Sequence, residues 1–128
     1  MSSVGLIGFG RATRSRLKAL SALGIKSASV ATLRSRELYQ WLEQESLDIE
    51  VNHFNDSDDL LTRCDAPLVF ICSESQRHAA QARAALEKDR HVCVEFPLTD
   101  SLDEGLRLFE LSKSVDRLLH IECIGTIT

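Results

Sequence analysis

Gly8-Phe9-Gly10-Arg11-Ala12-Thr13 is the stretch whose residue types and spacing point most directly to chemistry. It follows an apolar run, Val4-Gly5-Leu6-Ile7, and precedes a helical pattern. The run fits G-x-G-x-x-G/A except at its end, where Thr13 replaces Gly or Ala. In that setting Gly8 permits a tight turn and Gly10 lets the backbone approach a diphosphate. The first amides of the helix then bind the anion. Thr13 is larger than Gly and is expected to hold helix and sheet slightly further apart. Arg11, Arg14, Arg16 and Lys18 crowd the same helix start, where cations oppose the macrodipole. Arg11, nearest the loop, is placed to face an anion, while Arg14, Arg16 and Lys18 read as a solvated basic face.

A second group lies at Leu33-Arg34-Ser35-Arg36. A site selective for NAD puts Asp or Glu at the end of the second strand, against the ribose hydroxyls. Here two guanidiniums flank a hydroxyl, and no acid precedes Glu37. That set suits a 2′-phosphate, because Arg offers charge and forked donors. The expected cofactor is therefore NADP(H), with NAD(H) bound more weakly; the bland alternative makes the arginines solvated surface residues.

These groups need elements to position them. Val4 to Ile7 reads as a buried strand, and Arg11 to Leu23 as a helix closed by Gly24 at C′. Ser27 to Leu33 and Ile49 to Phe54 read as strands, with a helix over Glu37 to Glu45 between them. Asp56 to Arg63 begins with cap-type residues and predicts a short helix. Pro67 to Cys72 is a continuous apolar run, as expected of a strand buried on both faces. Gln76 to Lys88 is a helix lined with small residues, and His91 to Phe96 is a strand closed by Pro97. Ser101-Leu102-Asp103-Glu104 is a capping box. It opens a helix whose expected core face is Leu102, Leu106 and Phe109, and Leu118 to Ile124 is the last strand. Strict β-α alternation implies an α/β fold: a Rossmann-type, doubly wound parallel sheet in three αβα layers, strand order 3-2-1-4-5-6.

Composition bounds the class. The chain has 128 residues, 44% hydrophobic and 27% charged, with a net charge of −4. Those values fit a globular domain, and residues 1–128 are expected to be one NAD(P)-binding unit. The acidic balance disfavours a nucleic-acid surface. No apolar run approaches the roughly 20 residues that span a bilayer, and Met1-Ser2-Ser3 carries no basic leader, so a cytoplasmic location is expected. Cys64, Cys72, Cys93 and Cys123 lack CxxC spacing and read as buried reduced thiols. His53 and His91 sit in or beside strands without acidic partners at ligand spacing, and no metal is assigned. His120, on the last strand beside Glu122, is either a proton donor near the crevice or a hydrogen-bonded strand histidine.

Three segments together carry a family resemblance. The phosphate loop, the Ile71-Cys72-Ser73-Glu74-Ser75…His78 turn and Val94-Glu95-Phe96-Pro97 resemble the glucose–fructose oxidoreductase/inositol dehydrogenase family over most of residues 4–124. The Arg34-Ser35-Arg36-Glu37-Leu38 stretch, the Cys-Ser-Glu-Ser turn and the Glu-aromatic-Pro signature are most similar to its biliverdin-reductase-like branch. The resemblance implies that Gly8, Phe9, Gly10, Arg11 and Ala12 contact the pyrophosphate. It implies that Arg34, Ser35 and Arg36 hold the adenosine phosphate, and that Cys72, Ser73, Glu74 and His78 line the dinucleotide crevice. Glu95, Phe96 and Pro97 would border the nicotinamide. Sugar-type members carry Glu-Lys-Pro, with an acid–base Lys where this chain has Phe96. Phe moves no proton, which disfavours Lys-based alcohol oxidation. Phe96 either packs beside the nicotinamide or simply packs at a strand end, and Glu95 and His120 are the remaining candidates for a catalytic role.

The family builds its substrate site from a further domain after the sixth strand, and that domain is expected to be absent here. Two readings of function stand. The chain is the NADP(H)-binding part of a reductase that passes hydride to a bilin or related acceptor, completed by further residues or a partner such as a second copy. Alternatively it is a non-catalytic module that senses NADP(H) or works through interactions. Apolar surface left open at the last strand or crevice favours the first.

Overall fold

The computed structural model describes residues 3–122. Strands β1 (Ser3–Ile7), β2 (Ser27–Ala31), β3 (Glu50–Phe54), β4 (Leu68–Ile71), β5 (His91–Glu95) and β6 (Leu119–Glu122) alternate with helices. The helices are α1 (Arg11–Ala22), α2 (Ser35–Glu45), α3 (Ser57–Arg63), α4 (His78–Glu87) and α5 (Leu102–Ser114), with a 3₁₀ turn at Ser75–Arg77 before α4. All strand pairs are parallel, and the sheet order is β3-β2-β1-β4-β5-β6. This is the Rossmann-type order expected from the alternation.

The alternating side chains of each strand feed two cores. Val4, Leu6, Ala28 and Val30 pack under Leu17 of α1 and Leu38 of α2. Ile7, Ala31, Val69, Ile71, Val92 and Val94 pack under Leu60 and Leu61 of α3, Ala82, Ala85 and Leu86 of α4, and Leu108 of α5. The first core covers one face from β3 to β4, and the second covers the opposite face out to β6.

Three helices end alike. After α1, Gly24 takes φ +85°, its N–H reaches Ser21 O, and Ile25 N–H reaches Leu20 O. This is the Schellman arrangement. After α4 and α5 the same left-handed position is held by Asp89 and Asp116, at φ +61° and +54°. The arginine that follows each of them fastens backbone. Arg90 donates to the carbonyls of Leu61, Cys64 and Ala66, tying the end of α3 to the sheet, and Arg117 donates to Asp89 O.

Two expectations need correction. The second strand stops at Ala31 rather than Leu33, because Thr32 Oγ1 accepts the Arg34 N–H and turns the chain into α2 at Ser35. The core face of α5 is not Leu102, Leu106 and Phe109, which are 79%, 53% and 38% exposed. Leu108 and Ser112 are buried instead, with Leu111 and Val115 against the core. Both sets recur at helical spacing, roughly 140° apart around the axis at 100° per residue, so periodicity alone did not separate them. The capping box is half formed. Ser101 Oγ accepts Glu104 N–H, whereas the Glu104 carboxylate binds the Thr99 hydroxyl. Of the last predicted strand, residues 123 and 124 lie outside the described residues.

Candidate dinucleotide site

β1 and β4 are neighbours whose following helices go to opposite faces, so the loops after them part and leave a crevice. Gly8 sits at its base with φ +103°. A Cβ there would stand 2.6 Å from Cys72 O, so only glycine lets the two loops pass this closely. Cys72 N–H donates to Ile7 O, which fixes the β4 loop beside the turn. A Cβ on Gly10 would meet nothing within 4 Å. That open space lies at the N-cap of α1, which has no side-chain cap and no acid in its first turn. The leading amides of α1 therefore point unpartnered at a space with room for an anion, and a pyrophosphate fits them. Thr13 is buried, and its hydroxyl donates to Gly8 O at 2.8 Å, closing the turn that Gly or Ala would leave open.

Phe9 is buried beneath the guanidiniums of Arg14 and Arg34, with Trp41 against its edge. Arg34 also donates to Phe9 O at 2.6 Å and is paired with Glu37. Each partner stabilises the other's charge: the Glu37 carboxyl lies below its ordinary range and the Arg34 guanidinium above its own. Arg34 is thus built into the loop. Ser35 and Arg36 open α2, where the helix end adds positive potential, and the Arg36 side chain makes no hydrogen bond among the described residues. Arg11 and Ala12 lead α1, with Arg11 exposed.

On the other lip, Ser73 Oγ meets Gln81 and Glu74 accepts from Gln76. His78 is 2% exposed and bridges two loops, its Nδ1 lying 2.8 Å from Pro97 O and its Nε2 2.8 Å from Ser73 O. Both neighbours are acceptors, so the ring serves both only when it carries two N–H groups. His78 thereby couples the crevice turn to the Phe96-Pro97 corner. Phe96 is 62% exposed at that corner, and its N–H donates to Glu122 O. The reading of Phe96 as buried strand-end packing is therefore set aside. Burial pushes the Cys72 thiol up to about 11, partly opposed by the Arg16 cation, and raises Cys93 in the same direction.

His120 is exposed on β6, in register opposite Cys93, and its ring makes no hydrogen bond among the described residues. It is not the hydrogen-bonded strand histidine considered above. Arg16 is not solvated either. Its side chain is 11% exposed and ion-paired with Glu122 across the sheet, with the guanidinium over Phe70. Lys18 pairs with Glu45. Two open hollows, of about 470 and 580 Å³, lie on the β2–β3 side and beside His91–Leu118, and neither contains a residue of the glycine loop.

The profile of the oxidoreductase family with the NAD-binding Rossmann fold, the GFO/IDH/MocA family, matches residues 2–123. The chain belongs to this family. Human biliverdin reductase A is 37% identical over 65 residues, which cover 51% of this chain and 22% of that protein. The uncharacterized oxidoreductase YdgJ of Escherichia coli is 30% identical over 122 residues, covering 92% of this chain and 33% of its own length. The crystal structure of Synechocystis biliverdin reductase with biliverdin and NADP⁺ superposes with a TM-score of 0.73 at 25% identity, over 94% of this chain and 37% of that one. The WlbA dehydrogenase of Chromobacterium violaceum, solved with NADH and UDP-GlcNAcA, has a TM-score of 0.79 at 20% identity, over 94% of this chain and 34% of that one, and shares the fold. The chain thus spans about a fifth to a third of these relatives. In this GFO/IDH/MocA chain the residues that sequence reasoning missed are Arg16, Glu122 and Arg90. All three act across long sequence separations that no local pattern marks.

Proposed function

We propose that this chain binds NADP(H) and presents the nicotinamide for hydride transfer to a bilin-type acceptor. The observation that carries the reading is the Gly8–Cys72 contact beneath the open, uncapped start of α1. The amides of Arg11, Ala12 and Thr13 would hold the pyrophosphate. Arg36 and the start of α2 would take the 2′-phosphate, with Arg34 holding Phe9 in place. Cys72, Ser73 and Glu74 would line the crevice, and Glu95, Phe96 and Pro97 the nicotinamide end. When bound, the nicotinamide supplies the hydride. Phe96 offers an apolar edge and no proton, so the proton must come from elsewhere, from water or from an acceptor carboxylate.

Hydride transfer also needs an acceptor held against the exposed ring face. We read the chain as a cofactor unit whose acceptor site comes from another domain or chain. The exposure of Phe96, Leu102, Leu106, Phe109 and Leu118 supports that reading, since such apolar surface is usually covered in a working assembly. The lack of a titratable group at Phe96 favours the second reading, a non-catalytic NADP(H)-binding module. Titration with NADPH and NADH, run beside an assay of biliverdin reduction, tests both. NADPH should bind more tightly than NADH, with no appreciable turnover by the verified monomer. Equal affinities would sink the NADP assignment, and robust turnover by the monomer would refute the need for a second part. No helix among the described residues is long and apolar enough to cross a membrane.

A further inference from the structure

Cys93, His120 and Glu122 stand together on the open face of β5 and β6. The register sets Cys93 opposite His120, and His120 and Glu122, two residues apart on one strand, project from the same side. Their sulfur, nitrogen and oxygen donors lie within 4.8 Å of one another, and Cys93 Sγ is 3.9 Å from Glu122 Oε2. We propose that this triad is a binding site for a zinc-type divalent cation, coordinated by Cys93 Sγ, one imidazole nitrogen of His120 and one carboxylate oxygen of Glu122.

The donor set suits a borderline-soft ion that accepts sulfur, nitrogen and oxygen together. In a tetrahedral zinc site the ligand atoms stand about 3.5 Å apart, as bond lengths of roughly 2.0–2.3 Å require. Closing from 4.8 Å takes about 1 Å of movement, which rotation of the exposed His120 ring supplies. The strands themselves are held by the sheet, so the backbone is already placed. Arg16 and the Cys93 thiol both meet Glu122 Oε2, and the ion is assigned to Oε1 of the same carboxylate. A hydrogen-bond donor that orients a ligating carboxylate is the usual outer partner in metal sites. Glu95, in register with Glu122, offsets the positive charge of Arg16. Arg16 of α1 reaches over Glu122, whereas His120 is exposed, so the fourth coordination position opens to solvent on the His120 side. Cys93 and His120 are far apart in sequence, which is why ligand spacing along the chain did not reveal the group. Bound there, the ion would staple the edge strand β6 to β5 just below the Phe96 corner, with the thiol proton released to solvent.

Cobalt(II) and zinc(II) added to the reduced chain test this without any cofactor. Cobalt should give a thiolate-to-metal charge-transfer band in the near ultraviolet, saturating at one equivalent, and zinc should displace it and raise the melting temperature. C93S should abolish the band, and H120A, an exposed position, should weaken cobalt binding by roughly 100-fold. Circular dichroism of both variants confirms that they remain folded. Absence of the band in the parent overturns the proposal. So does a band that persists in C93S, whichever other cysteine carries it.

Discussion

The two glycines of the phosphate loop should respond in opposite ways to the same added methyl group. At Gly10 the backbone is extended, φ −137° and ψ −155°, and a Cβ meets nothing within 4 Å. Gly10→Ala therefore adds no clash. Its poorer N-cap propensity, roughly 0.5–1 kcal/mol, is offset by the lower entropy of the unfolded chain, about 0.4–1 kcal/mol. Stability should stay within about 0.5 kcal/mol of the parent. The methyl nevertheless fills the space a pyrophosphate oxygen needs. Losing two amide–phosphate hydrogen bonds at about 1.5 kcal/mol each weakens binding by about 3 kcal/mol, or roughly 150-fold in Kd. At Gly8 the Cβ would lie 2.6 Å from Cys72 O and 2.9 Å from Cys72 C, at φ +103°. Gly8→Ala should cost about 3 kcal/mol of stability through strain and backbone overlap. Urea melts and NADPH fluorescence titrations of both variants read the two effects separately. A Gly10→Ala protein that binds NADPH like the parent, or that loses more than about 1 kcal/mol of stability, would refute the assignment of this loop.

Arg36→Ala should raise the Kd for NADPH about tenfold and leave NADH unchanged. Arg34→Ala should weaken both cofactors, because Arg34 also holds the Phe9 carbonyl; matched titrations that show one pattern for both variants would contradict this division. Arg90→Ala should lose about 2–4 kcal/mol in a urea melt, since the carbonyls of Leu61, Cys64 and Ala66 lose their common donor. A loss below about 0.5 kcal/mol would remove Arg90 from the account. The Cys72 thiol, pushed up to about 11 by burial, should resist alkylation at pH 8 when followed by peptide mass spectrometry. The unfolded chain releases that proton near pH 9.0 and the folded chain only toward pH 11, so this contribution to stability is intact below pH 9 and shrinks as pH rises, by roughly 2.7 kcal/mol. Rapid labelling of Cys72 at pH 8 would contradict the burial.

The order of elements was legible because apolar strand runs alternate with helical patterns, several of which carry a cap residue or a closing glycine. Gly24 ends α1 in the left-handed conformation its residue type permits, and Asp56 caps α3 as its position implies. The phosphate loop was legible because glycine is required by backbone geometry that only a local motif creates. What escaped was decided by tertiary packing. Leu102, Leu106 and Phe109 form as good a helical stripe as Leu108, Leu111 and Val115, and only the placement of α5 against α4 chooses between them. Arg16 looked like one cation among several until the sheet brought Glu122 beneath it. The bridging role of His78 depends on two carbonyls from loops that approach only in the folded chain.

The most direct test of the central claim is to map NADPH onto the labelled chain by amide chemical shifts. The account predicts saturable one-site binding, with the largest shifts at Phe9–Thr13, Ser35–Arg36 and Cys72–Glu74, and little change at the hollow beside His91 and Leu118. Shifts confined to that hollow or to the β2–β3 face, or no saturable change at all, would contradict it.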